Sequence, residues 1–381
     1  MHIAWLGKKS PFCGNVTYSR EVTNALLDLG HQVSFLHFAQ EEEINPENWP
    51  DFQEVSLPFL YKSQVYTIPT LKSSKILSDS LKELKPDVVH ASLTLSALDF
   101  LLPEMCQELN IPLVATFHTP FDGKRRNITS GTQLLTYQIY APFLANYNQT
   151  IVFSEVQREL LGRLNVPPDR VAVIPNGVDA EKYSPGASKI KYEFGAKRLF
   201  VYQGRIAAEK NVESLLRAWK KCDLGEDCKL LIVGDGPLAA NLKPFYGEEY
   251  NIIWLGAVAD EQRRIDILRG ADVFILPSLV EGLSISLLEG MACGVACVAT
   301  DAGADGEVME NGAGIVMSTN RVSAQLRTLL PILRDHPDLT AVLGKNARQR
   351  VLERYTLKRN ISQLEALYTQ VLQPQKMVRF G

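Results

Sequence analysis

The 381-residue chain contains no apolar run of the ~20 residues that a bilayer-spanning helix needs, so no membrane span is expected. Its start, Met1-His-Ile-Ala-Trp-Leu-Gly7, lacks the basic region and long apolar core of a secretory leader and reads as a strand ending in a glycine turn. A cytoplasmic address is therefore expected. An excess of charge of one sign is also missing: 40 Lys and Arg against 43 Asp and Glu leave a net charge of −3, which argues against nucleic acid as a partner. Cysteine is sparse. Cys222/Cys228 and Cys293/Cys297 are not at zinc-ribbon spacing and have no His close in sequence, so buried thiols are expected and no metal site. In that compartment the Asn-x-Ser/Thr triplets at Asn15, Asn127, Asn148 and Asn360 carry no glycosylation.

What is present is an α/β rhythm. The length exceeds one ordinary core and suits two domains. Apolar runs of four to six residues, as in parallel strands covered on both faces, occur at His2-Leu6, Gln32-His37, Val88-His90, Leu113-Thr116, Thr150-Phe153 and Val171-Ile174, with helix-compatible segments between. A second set runs through Leu199-Gln203, Leu230-Val233, Ile252-Leu255, Val273-Leu276, Ala296-Ala299 and Gly314-Met317. Each set predicts a doubly wound domain, with a polar linker over 181–197. The segment Lys358–Leu372 predicts one amphipathic helix with Ile361, Leu364, Leu367, Tyr368 and Val371 on one face.

The richest stretch is Phe274-Ile-Leu-Pro-Ser-Leu-Val-Glu-Gly-Leu-Ser-Ile-Ser-Leu-Leu-Glu-Gly-Met-Ala-Cys-Gly294. A strand ends at Pro277-Ser278, a loop carries Glu281-Gly282, and a helix carries Glu289. Amides opening that helix, from Gly282 through Leu283 to Ser284, are expected to point outward unpaired at the positive end of the helix dipole, where a phosphorylated ligand binds. The Glu-x7-Glu spacing, with Glu-Gly-Leu before and Leu-Glu-Gly-Met-Ala after, resembles the donor-binding motif of family 4 glycosyltransferases, retaining enzymes of the GT-B fold that use nucleotide sugars. The resemblance implies two Rossmann-like domains facing each other across a cleft. Residues 1–175 would form an acceptor-binding domain, with a C-terminal helix at about 358–381 packing back on it, and 176–357 would bind the nucleotide sugar. It further implies that Glu281 lies against the donor sugar hydroxyls and Glu289 holds the ribose. Ser284 stands where many relatives have Gly.

Gly204-Arg205 follows a strand, and Glu209-Lys-Asn211 opens the next helix. A planar fork and a compact charge at a sheet edge suit a diphosphate, and in the resembled family the matching Arg and Lys neutralise the leaving group. No Asp-x-Asp metal motif appears, so Arg205 and Lys210 are expected to replace a divalent ion; surface cations bonded to Glu209 and Glu213 are the alternative. The run Val233-Gly-Asp-Gly-Pro237, with Gly234 and Gly236, matches both a donor-side loop of the family and glycine used only for a tight turn. A dinucleotide site is disfavoured, because no acidic residue ends the following strand. In the first half, Gly14 in Pro11-Phe-Cys-Gly-Asn-Val16 would let backbone approach a phosphate, although Asn15 stands where relatives often have a second Gly. His118, at the end of Ala115-Thr-Phe-His118, matches a family histidine that contacts the donor sugar near its transferred carbon; a structural His is the alternative. His31 reads as structural.

Gly7-Lys-Lys-Ser-Pro-Phe-Cys-Gly14 and Phe117-His-Thr-Pro-Phe-Asp-Gly123 are similar to the digalactosyldiacylglycerol synthases of cyanobacteria within this family. That similarity implies UDP-galactose as donor substrate, no cofactor, a glycolipid acceptor, and a place on the cytoplasmic face of a membrane. Two stretches fit a lipid interface, Phe59–Tyr66 and the lysine-bearing helix within 71–85, which could equally cover the first sheet. The basic run Lys124-Arg-Arg126 could attract an anionic head group or be a solvated loop; with 14 basic and 18 acidic residues in 1–175, any such attraction is local. Rivals are a family transferase of glucose or mannose to another lipid, a polysaccharide or a soluble acceptor, and a non-catalytic sugar-nucleotide sensor.

Overall fold

A computed structural model describes residues 1–10, 13–39, 49–63, 66–120 and 128–373. Pro11, Phe12 and the basic run Lys124-Arg-Arg126 lie outside the described residues. The described residues divide into two compact units, one built from 1–119, 128–176 and 357–373, the other from Gly177–Thr356.

Strands of the first unit are β1 (His2–Gly7), β2 (Gln32–Phe38), β3 (Gln53–Leu57), β4 (Phe59–Lys62), β5 (Thr67–Pro69), β6 (Val88–Ser92), β7 (Leu113–Thr116), β8 (Gln149–Val152) and β9 (Val171–Val173). Among the described residues they form a parallel sheet ordered β3-β2-β1-β6-β7-β8-β9, with β4 and β5 apart as an antiparallel pair. Helices over both faces explain why β1, β6, β7 and β8 are apolar and buried almost throughout. The order reverses between β1 and β6, which places a crevice outside their C-terminal ends.

Three strands were not legible as apolar runs. β3 is an edge strand with exposed Gln53, Glu54 and Ser56, and β4 and β5 hold exposed side chains. The helix Ser73–Leu84 settles one alternative: Leu77 and Leu81 are buried and the helix packs on β3 and on the helix Leu98–Leu109, so its apolar face covers the sheet. Helix Leu357–Leu372 packs on the helix Gly14–Asp28. Its Tyr368 hydroxyl lies 2.6 Å from His90 Nδ1, while His90 Nε2 meets Thr116 Oγ1 at 2.8 Å and the ring stacks on Trp5 at 4.0 Å. Burial, then the nearby His118, pushes His90 down to about 3, so this histidine is a neutral connector. His31 likewise ties the same helix, meeting Glu365 at 2.8 Å.

In the second unit, β10 (Arg198–Gln203), β11 (Cys228–Val233), β12 (Ile252–Gly256), β13 (Val273–Leu276), β14 (Ala296–Thr300) and β15 (Ile315–Met317) form a parallel sheet ordered β12-β11-β10-β13-β14-β15. This is the Rossmann order, reversing between β10 and β13. Each fully buried Leu, Ile or Phe of these strands, such as Leu230, Phe274 and Ile275, contributes about 1.5–3 kcal/mol. The stretch expected as a linker is bonded into this unit. Arg348 donates to the carbonyls of Ala180, Tyr183 and Ala292, and Arg269 Nε donates to Ser184 O at 2.8 Å. Polarity here reflects arginine-bridged backbone, which composition does not distinguish from a solvated connector.

Candidate active site

Loops at the C-terminal ends of β10, β11, β13 and β14 converge at the switch point of the second unit. The first carries Gly204, Arg205 and Lys210, and two bonds fasten it to the loop after β13: Leu279 N–H donates to Glu209 O at 2.7 Å, and Asn211 Nδ2 donates to Pro277 O at 3.1 Å. Asn211 itself is left-handed at φ 52°, a conformation asparagine tolerates, and it turns the chain into the helix Val212–Cys222. Lys210 is thereby delivered to Glu281. Its Nζ donates to Glu281 Oε1 at 2.6 Å, and Ser278 Oγ donates to the same oxygen at 2.7 Å. Glu281 is buried, so this is a cation and a carboxylate held together largely out of water. Of the two partners foreseen for a bland surface role, Glu209 does pair with Arg205, whereas Glu213 pairs with Arg217 and leaves Lys210 to Glu281.

Glu289 is a buried residue of the helix Ile285–Ala292. Its Oε2 accepts from Gln203 Nε2 at 2.7 Å, and both residues are buried. Tyr183 sits against it, its phenol pushed well up by burial and then by the Glu289 and Glu261 charges. Glycine is required by loop packing here. Gly234 has φ +130°, and a Cβ on it would lie 1.9 Å from Gly204 O; one on Gly236 would lie 2.5 Å from Ile206 O. Gly234 and Gly236 thus let the loop after β11 press onto the backbone on either side of Arg205, bonded through Gly204 N–H to Val233 O and Ile206 N–H to Asp235 O, both 2.9 Å.

The expectation of open amides at Gly282, Leu283 and Ser284 is corrected in one respect. Ser284 is the N-cap of the helix, its Oγ accepting from Leu287 N–H at 3.3 Å, and its own N–H donates to Asp305 Oδ1 at 2.9 Å. The amide is engaged because the loop after β14 folds onto the loop after β13: Ala304 N–H donates to Gly282 O at 2.7 Å, and left-handed Gly303 packs so close that a Cβ would sit 2.2 Å from Glu281 O. Sequence reasoning missed Asp305, Gln203 and Ser278. The available signal was position, since Gln203 ends an apolar strand and Ser278 and Asp305 follow one, at the edge where this class of sheet places its ligands.

In the first unit, His118 follows β7. Its Nε2 is 2.8 Å from Ser92 Oγ, which donates onward to Asn15 Oδ1 at 2.7 Å. Ser92 therefore accepts from His118, which fixes the Nε2–H tautomer and leaves Nδ1 as an acceptor. Packing around the ring, then the Lys8 charge, pushes His118 down to about 3, so it is neutral. Tyr18 packs edge-on at 4.8 Å. Asn15 also donates to Leu93 O at 3.2 Å, which gives it a structural task in place of a glycine turn. Gly14 opens the helix Gly14–Asp28 exposed, with nothing within 4 Å of where a Cβ would be. Two buried charged groups near the β1–β6 switch point were also missed. Lys8 donates to Ser63 O at 3.2 Å, and Asp99 accepts from Ser96 N–H at 3.0 Å and Tyr140 Oη at 2.9 Å. Burial pushes Asp99 up to about 6.

A model of Glycosyltransferase Family 4 matches residues 13–182 and one of Glycosyl transferases group 1 matches 187–350. Among curated proteins, the chain is 28% identical over 79% of its length to the Escherichia coli UDP-Gal:alpha-D-GlcNAc-diphosphoundecaprenol alpha-1,3-galactosyltransferase, covering 80% of that protein. It is 24% identical to N-acetyl-alpha-D-glucosaminyl L-malate synthase of Bacillus anthracis over 95% of both chains. It is 27% identical to alpha-monoglucosyldiacylglycerol synthase of Streptococcus pneumoniae over 75% of this chain and 67% of that one. Among solved structures, Anabaena HepE in complex with UDP-glucose gives a TM-score of 0.79 at 17% identity, covering 97% of this chain and 100% of that one, a likeness of fold. With one family model on each half, the chain belongs to the family 4 glycosyltransferases and has their GT-B architecture of two Rossmann-like domains.

Proposed function

We propose that the protein moves galactose from UDP-galactose to monogalactosyldiacylglycerol, giving digalactosyldiacylglycerol with the anomeric configuration retained and without a divalent metal. The observation that carries a sugar-nucleotide reading is the Lys210–Glu281 contact at the switch point, with Arg205 and Glu289 on the adjoining elements. Lys210 has two further N–H groups beyond the one given to Glu281, so it can hold that carboxylate and a phosphate oxygen together. As the glycosidic bond breaks, negative charge grows on the diphosphate, and Lys210 and Arg205 stabilise it. Glu281 orients sugar hydroxyls and Glu289 takes the ribose, while in the first unit neutral His118 offers Nδ1 as a hydrogen-bond acceptor. Gly14 gives the acceptor-side loop an unobstructed backbone.

A lipid acceptor is supported by the surface of the first unit. On β4, just before β5, on β5 and in the turn after it, Leu60 is 74% exposed, Tyr61 50%, Tyr66 45%, Ile68 44% and Leu71 100%, with Lys72 and Lys75 also exposed. Apolar side chains in this density, flanked by cations, suit peripheral docking on an anionic bilayer at the cytoplasmic face. Among the described residues no helix is long and apolar enough to cross a membrane. Two of the relatives are named for lipid-linked acceptors, and the malate synthase for a soluble one.

The test is transfer of labelled sugar from UDP-galactose, UDP-glucose and GDP-mannose to monogalactosyldiacylglycerol, and separately to an undecaprenyl diphosphate sugar, in detergent with a chelator present. Product from UDP-galactose alone supports the proposal. Product from another donor, or onto an undecaprenyl diphosphate sugar only, replaces the donor or acceptor, and donor binding with no turnover on any acceptor indicates a sensor.

A further inference from the structure

Asp305 opens the short helix Asp305–Val308 and is 1% exposed. Its Oδ1 accepts the Ser284 N–H at 2.9 Å, while its Oδ2 is buried with no hydrogen-bond partner. An ionised carboxylate with one bare oxygen in such a place is costly. The neighbouring charges are Glu281, which opposes ionisation, and Lys210, which favours it; burial is the larger influence, and the carboxyl is pushed well above its ordinary range. Lys210 is already bonded to Glu281. The two carboxyl groups are held differently: Glu281 has Lys210 and Ser278 on one oxygen, and Asp305 has a backbone amide alone.

The backbone around Asp305 is committed to the same task. Gly303 lies against the carbonyls of Glu281 and Gly282, and Ala304 N–H bonds to Gly282 O. The segment 301–305 is thus a clamp laid over the segment 281–284, and the Asp305–Ser284 bond is its side-chain latch. Resting on the donor-site reading above, we propose that Asp305 is a positioning residue for sugar-nucleotide binding: it holds the Ser284 amide and so fixes the loop that presents Glu281. The carboxyl itself touches no substrate in this account.

Two variants separate the latch from general packing. Asp305→Asn keeps an oxygen for the Ser284 amide and stays uncharged; Asp305→Leu fills similar space and offers no acceptor. Hydrogen exchange of a peptide spanning Ser284, measured without ligand, should be about tenfold faster in the Leu variant and near the wild-type rate in the Asn variant, the scale of one lost hydrogen bond. Titration with UDP should show about tenfold weaker binding for Leu and little change for Asn, with Tm of the two variants matched by temperature choice. Unchanged exchange in the Leu variant overturns the latch, and so does an Asn variant as impaired as Leu, because it keeps an acceptor oxygen for the Ser284 amide. If the exchange contrast appears but the wild type does not bind UDP, the latch stands and the donor reading fails.

Discussion

Lys210 Nζ and Glu281 Oε1, 71 residues apart in sequence, meet at 2.6 Å across the point where the second sheet reverses direction. Two hydrogen bonds fasten their loops together, one from the Leu279 backbone N–H and one from the Asn211 side chain, and Ser278 adds a second donor to the same carboxylate oxygen. A cation that is pre-positioned by a carboxylate, and not free in solvent, loses little freedom when a diphosphate arrives beside it.

Arg205 should matter for turnover far more than for folding. Its pair with Glu209 spans four residues and is partly exposed, so Arg205→Ala should cost no more than about 1 kcal/mol of stability. Loss of a donor aimed at developing charge should lower kcat by about 10²–10³-fold. Urea titration and donor turnover on the same preparation check both numbers; normal turnover at saturating donor removes Arg205 from the mechanism.

Asp99 predicts a pH-dependent stability. Its carboxyl is raised from 3.8 to about 6, so between those values the native state binds more protons than the unfolded chain, and stability falls as pH rises through the window. Two pH units correspond to about 3 kcal/mol once ionised. Asp99→Asn should therefore stabilise the protein by up to about 3 kcal/mol at pH 8 and by much less at pH 4. Urea unfolding at the two pH values reads the difference, and an equal effect at both would contradict the assignment.

The doubly wound character of both units was legible because strands buried on both faces read as apolar runs, as in Leu230-Leu-Ile-Val233 and Val273-Phe-Ile-Leu276. The edge strand Gln53–Leu57 and the pair β4 and β5 were not, since strands that lack a covered face lack the signal. At the site, Arg205, Lys210, Glu281 and Glu289 stood out by spacing. Their partners did not: Gln203 lies 86 residues from Glu289 and Asp305 lies 21 from Ser284, and only the sheet order brings them together. The engaged Ser284 amide is the same lesson in reverse, because a helix start shows its donors in sequence but not what has already claimed them.

Gly234 should not tolerate a side chain. Gly234→Ala would place a Cβ 1.9 Å from Gly204 O at φ +130°, so the two loops must separate. The expected loss is roughly 2 kcal/mol or more of stability, with weakened UDP binding because Arg205 follows Gly204. A thermal melt and UDP titration check it; a variant with wild-type Tm would show that the loops do not need this contact.

The exposed hairpin should govern membrane binding and little else. Leu60 and Leu71 touch water, so Leu60→Ser with Leu71→Ser should change stability by no more than about 0.5 kcal/mol per site. Each leucine entering a bilayer would contribute about 1.5–3 kcal/mol, so sedimentation with anionic vesicles should weaken at least about tenfold while activity on a detergent-dispersed acceptor persists. Undiminished vesicle binding would move the docking face elsewhere.

The central claim, that Lys210 and Glu281 act as one unit on a sugar nucleotide, is tested most directly by a double-mutant cycle on donor turnover. Rates of UDP release from UDP-galactose, with chelator present, would be compared for the wild type, Lys210→Met, Glu281→Gln and the double variant. Each single change should lower the rate by about 10²–10³-fold, and the double variant should be no slower than the worse single one. Near-normal rates in either single variant, or losses that multiply in the double one, would contradict it.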